Sequence, residues 1–188
     1  TDQSYGQDKI LLISGREIPC RIVKITDFDI LYMKPMSDIV KKVERDGVYS
    51  INFANGNNVF IYKPNPDIDD EMKYSYKEMR FFIIGEQDAH KGFKSPASFV
   101  ISLAAGMGGG FFLTPFYGPI VPAVVSFVIG IPDPRLQPKT VSNPNFLTEE
   151  AYVAGYRKTA KVKKIQALVK GSLIGLAIGV GTRLVLIN

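Results

Sequence analysis

Cysteine, histidine and tryptophan are nearly missing from this chain of 188 residues, which has one Cys, one His and no Trp. A lone Cys20 excludes an internal disulfide and any cysteine-cluster metal site, and its place in an apolar alternating run makes it a small buried side chain. With His90 as the sole imidazole, acid-base chemistry has one candidate, GEQDAHKG at residues 85–92, where Glu86, Asp88 and His90 occupy alternating positions. Such a spacing does not put three side chains on one helix face, so a hydrophilic helix or turn is the expected role. No phosphate loop, nucleophile elbow, zinc spacing or dinucleotide fingerprint is present. No catalytic residue, no metal and no cofactor are therefore expected, and the chain is read as a non-enzyme.

Charge is also absent, completely so, from residues 95–132, SPASFVISLAAGMGGGFFLTPFYGPIVPAVVSFVIGIP. Within this stretch Ser98, Ser102, Gly106 and Gly110 recur at every fourth position, the small-xxx-small face along which membrane helices pack. The remaining faces carry Phe99, Val100, Ile101, Leu103 and Phe111, and a helix apolar all round belongs in lipid or in a large buried core. Two prolines and a glycine in TPFYGP, residues 114–119, turn the chain into a second apolar arm. At about 1.5 Å per residue the first arm reaches roughly 25 Å and the second roughly 18 Å, against a hydrocarbon core of about 30 Å. A re-entrant hairpin is thus as open as two spans.

A partner for the hairpin is present at the end of the chain, where Gly171, Gly175 and Gly179 repeat the four-residue spacing. Ahead of them come Thr148, Glu149 and Glu150, a helix start with acids in its first turn. Then follow Arg157, Lys158, Lys161, Lys163, Lys164 and Lys170, a basic run read as binding lipid headgroups or an acidic partner. One rod from residue 148 to about 185 is expected.

The front of the chain differs in kind. Strand candidates fall at 9–13, 18–26, 30–34, 39–44, 50–53 and 58–62, separated by Ser14-Gly15, residues 27–29, residues 35–38, Asp46-Gly47 and Asn55-Gly56. Asn-Gly between apolar runs is the strongest short hairpin signal, and Ile18, Cys20 and Ile22 alternate as a half-buried strand does. Short strands at this density lead to a small SH3-like or Sm-like barrel. After it, the acidic cluster Asp67, Asp69, Asp70 and Glu71 lacks calcium-loop spacing and is read as a helix start. Residues 72–84 interleave Tyr74, Tyr76, Phe81 and Phe82 with Lys73, Lys77 and Arg80, a pattern for a membrane interface or for nucleic acid; the apolar hairpin close behind favours the membrane.

The expected class is α+β. Its divisions are a small β-barrel at 8–63, a linker and amphipathic interfacial segment at 64–94, an apolar helical hairpin at 95–132, a Pro-rich connector at 133–147, and a basic helix running into an apolar glycine-faced helix at 148–188.

The run DKILLISGREIPCRIVKITDFDILYMKP followed by VYSINFANGNNVFIY resembles the small barrel at the front of many uncharacterised cell-envelope proteins of Bacteroidota. The outline is carried by Asp8, Leu12, Gly15, Ile18, Ile25, Ile30, Tyr32 and Gly56. GEQDAHKG and NPNFLTEEAYVAGYRKTAKVKK are similar to later segments of the same group. The resemblance implies a bacterial envelope protein and transfers no catalytic residue.

Net charge is +5, and nearly all Lys and Arg lie on the barrel side of the hairpin, which by the positive-inside tendency puts the barrel in the cytoplasm. The start at Thr1 rather than Met fits a removed secretory leader among other kinds of trimming, which would put it outside; the resemblance tips the expectation to the envelope exterior. The leading reading is a membrane-anchored accessory subunit whose barrel docks a partner, with membrane lipid and other envelope membrane proteins as partners, self-association possible and no nucleic acid. An Sm-like nucleic-acid-binding module and a small self-associating channel or pore are the alternatives.

Overall fold

The computed structural model describes residues 7–65, 73–112, 117–130 and 132–187. The acidic cluster at 67–71 and the first half of the 114–119 turn, residues 114–116, lie outside them. The class is α+β: a six-stranded antiparallel sheet is followed by four helices, the last of them long.

Strands β1 (Asp8–Leu12), β2 (Glu17–Ile25), β3 (Asp29–Met33), β4 (Val40–Glu44), β5 (Val48–Asn52) and β6 (Asn58–Phe60) pair in the order β4-β3-β2-β1-β5-β6. Alternation sets the register. Ile18 and Cys20 on β2 point inward with Ile10 and Leu12 of β1, Ile30 and Tyr32 of β3 and Val48 and Ile51 of β5, while Glu17, Pro19 and Arg21 face out. Two of the three turn glycines read from the sequence are in the left-handed region, Gly15 at φ 72° and Gly56 at φ 87°, where a side chain is strained; Gly47 ends a short 3-10 turn instead. Asp8 ties the sheet together, its two carboxylate oxygens accepting from Ile22 N and Ala54 N, each at 2.9 Å.

Register shifts at Leu11/Leu12 and Ile22/Lys24 bend the sheet. It is nonetheless an open sheet, with β4 and β6 at its edges.

Helix α1 (Tyr76–Gly92) starts with a capping box: Glu78 N donates to Ser75 Oγ at 3.3 Å and Ser75 N to Glu78 Oε2 at 2.9 Å. Residues 72–84 were expected at a membrane interface. Instead Met79, Phe82 and Ile83 are buried in a second core with Ile13, Tyr49, Tyr62 and Ala151. Their i, i+3, i+4 spacing makes one apolar stripe, and β5, buried on both faces, offers it a surface. Within the segment expected as a linker, α1 is therefore the sheet's second layer, with Lys77 and Arg80 exposed along the groove between α1 and strands β5 and β6.

After Gly92 the chain bends by 59° into α2 (Pro96–Phe112). Helix α3 (Ile120–Gly130) follows, then α4 (Glu150–Ile187), 38 residues or about 57 Å of helix. Its first half packs on α1 and its second half on α2. Among the described residues, α4 is the one helix long and apolar enough to cross a membrane; α1 and α2 reach that length only as a bent pair.

Candidate functional site

Close approach along α4 begins in its first half. Gly85 of α1 meets α4 beside Gly155, which lies in the four-residue series of small buried residues Ala151, Gly155 and Thr159, and a Cβ on Gly85 would stand 2.9 Å from Tyr156 N. Around this crossing lies a polar network. The Glu86 carboxylate, 3% exposed, is 3.4 Å from Lys158 Nζ, which also lies 5.4 Å from the centroid of the Phe82 ring. Asp88 Oδ2 accepts from Ser142 N at 2.8 Å and from the Tyr152 hydroxyl at 2.7 Å. The Tyr156 hydroxyl bonds Thr140 Oγ1 and accepts from Gln137 N at 3.3 Å. Buried acceptors with charge-assisted or hydroxyl donors hold an arrangement in place. Glu86 and Asp88 thus lock the 133–147 connector and α4 onto α1, while His90 is exposed. No group of His, Cys, Asp and Glu that could hold a metal occurs among the described residues.

Further along α4 the small residues meet as two faces. Ser98, Ser102, Gly106 and Gly110 are buried on α2, and Gly171, Gly175 and Gly179 are buried on α4. A Cβ on Gly110 would stand 2.8 Å from Leu176 O, and one on Gly175 would stand 2.9 Å from Met107 N. Such distances leave backbone against backbone, the geometry that small residues permit. Ser102 Oγ donates to Phe99 O at 3.0 Å, so its hydroxyl is satisfied inside its own helix. Helix α3 joins through Ser126 and Ser172, whose Oγ atoms are 3.1 Å apart, and through Pro122, packed near Gly109. The glycine faces are matched within one chain, so a pore built on them would first have to separate α2 from α4.

The outward residues of these helices are the large ones. Val100, Ile101 and Phe112 on α2, Val124, Phe127 and Val128 on α3, and Leu173, Ile174, Ile178 and Leu184 on α4 are all exposed. A water-soluble bundle buries its large apolar side chains and exposes polar ones; here the order is reversed.

The basic run divides at this level. Lys158 pairs with Glu86, Lys161 Nζ lies 3.3 Å from Asp133 Oδ1, and Lys164 Nζ donates to Pro132 O at 2.9 Å. Lys163 Nζ donates to Ala89 O at 3.2 Å and His90 O at 2.8 Å, closing the carbonyl end of α1 with a cation. Arg157 and Lys170 are exposed. Four of the six residues therefore hold the helices together in addition to any outside contact. The sequence could not pair Lys158 with Glu86, since partners so far apart leave no periodic trace.

No protein-family model, no curated protein and no solved structure matches the chain.

Proposed function

We propose that this chain is a non-enzymatic, membrane-anchored accessory subunit of a bacterial envelope complex. The observation that carries the reading is the inverted burial of α2, α3 and the second half of α4. Most of their serines and glycines face inward and most of their Phe, Val, Leu and Ile side chains face outward. A patch of this kind in water is unstable, whereas in lipid it costs nothing and close backbone packing supplies the association. The continuity of α4 supports a rigid connection between the anchored helices and the sheet.

The sheet is the docking module in this reading. Two bulges that bend it support an SH3-like or Sm-like small barrel. Val23, Ile25, Phe28, Ile39 and Val40, all exposed around β2, β3 and β4, supply an apolar contact surface for a partner protein. The resemblance to envelope proteins of Bacteroidota supports an extracytoplasmic side for this module.

The test is extraction of native membranes with carbonate, then purification in mild detergent with mass spectrometry of what accompanies the chain. Retention in the washed membrane with stoichiometric partners is the expected result. Release as a soluble monomer overturns the reading.

A further inference from the structure

Lys94 is the last charged residue before the uncharged stretch and Asp133 the first after it, and both line one cleft of about 430 Å³. Its walls come from three places: the α1–α2 corner with Phe93 and Lys94, the connector with Asp133, Arg135 and Leu136, and Lys164 on α4. The chain thus enters the apolar hairpin, leaves it, and begins the apolar half of α4 at the same level. We infer that this cleft binds the phosphate of an anionic phospholipid headgroup, a site that rests on the membrane reading above and gives it a defined depth.

Charge decides the ligand class. Three cations, Lys94, Arg135 and Lys164, face one carboxylate, and that carboxylate is already engaged by Lys161 at 3.3 Å. The cleft is left net positive. Lys164 is held at its place by donation to Pro132 O and keeps further donors on its ammonium group. Gln137 Nε2 donates to Lys94 O at 2.9 Å, fixing the connector against the helix corner so that the walls are preset. Arg135 supplies the planar fork suited to a phosphate.

Position decides the source of the phosphate. Immediately beyond the cleft Val100 and Ile101 are exposed on α2, so acyl chains attached to a bound phosphate would run down an apolar wall. Phe93 and Leu136 line the cleft beside the cations. A free phosphate would use the cations and leave this wall unused.

The test uses the full chain in lipid nanodiscs and in detergent, with native mass spectrometry of bound phosphatidylglycerol, phosphatidylcholine and inorganic phosphate. Retention of phosphatidylglycerol over phosphatidylcholine is expected, falling on the order of fivefold for each cation removed in Lys94→Ala and Arg135→Ala. A control with equal charge loss, Lys24→Ala with Lys41→Ala, both exposed on the sheet and away from the cleft, should keep the preference. Equal loss in the control, or no loss in the cleft variants of a protein that stays in carbonate-washed membranes, overturns the headgroup site and leaves the anchor intact. Competition by inorganic phosphate at equal strength would make the ligand a soluble anion and overturn the lipid assignment. Release from the membrane by carbonate overturns both.

Discussion

Gly106 on α2 and Gly175 on α4 stand face to face, with a Cβ on Gly106 placed 3.1 Å from the carbonyl carbon of Gly175 and 2.5 Å from Ser172 O. Backbone cannot yield as a flexible side chain does, so Gly106→Ala and Gly175→Ala must push the helices apart, at about 1–3 kcal/mol each. Gly108 and Gly181 lie on the same two helices with open space where a Cβ would go. Alanine there raises helix propensity and should stabilise by up to about 1 kcal/mol. Thermal unfolding in detergent reads both. Equal responses at the two kinds of site would remove the close-packed seam from the account.

Asp88 and His90 part company in the structure, and their variants should as well. Asp88→Ala removes the acceptor for Ser142 N and the Tyr152 hydroxyl, leaving two donors inside the connector contact and costing about 2–4 kcal/mol. Asp88→Asn keeps an acceptor oxygen and should cost less. His90→Ala touches an exposed side chain and should stay within about 0.5 kcal/mol of the parent. Loss of partner binding in His90→Ala with stability unchanged would give the histidine a function that the geometry does not.

Legibility in the sequence followed the range of the interaction. The β-turns were readable because Gly15 and Gly56 impose a local backbone shape, and the strand limits came within a few residues. The α2 and α4 glycine faces were readable because four-residue spacing survives any arrangement of the helices. Closure of the sheet was not, since it depends on how far the bulges at Leu11/Leu12 and Ile22/Lys24 turn the strands, and these leave no residue signature. Met79, Phe82 and Ile83 carry a helical stripe, but the intervening Lys and Arg also fit an interface, and the choice between them rests on β5, whose two covered faces are a tertiary feature. Ala151, Gly155 and Thr159 carried the same spacing, but which helix they meet, like the pairing of Glu86 with Lys158, joins segments far apart in the chain and had no local sign.

Cys20 offers a chemical check on the sheet core. Burial first, and the nearby Asp8 charge second, push its thiol up to about 11, against a smaller opposing hydrogen bond with the Ile10 backbone. A thiol raised this far stays protonated at pH 8, with thiolate on the order of one part in a thousand. Maleimide labelling of the folded protein at pH 8 should be slow, accelerating in denaturant and as pH rises toward 11. Rapid labelling at pH 8 without denaturant would mean that β1 and β2 separate readily.

Phe127 on α3 and Leu173 on α4 are 70% and 63% exposed, and glutamate at either position separates lipid from water as the surrounding medium. On a surface facing water such a change is worth within about 0.5 kcal/mol, and it should improve solubility. At bilayer depth a carboxylate costs about 2.5–3.5 kcal/mol on insertion scales. Phe28, 83% exposed beside the sheet, serves as the control, since Phe28→Glu changes the same charge away from the apolar helices. The expected result is loss of carbonate-resistant material for Phe127→Glu and Leu173→Glu and none for Phe28→Glu. Should all three behave alike and the protein remain dispersed without detergent, the outer faces of α3 and α4 would not be lipid-facing. The inverted packing would then have to be covered by protein.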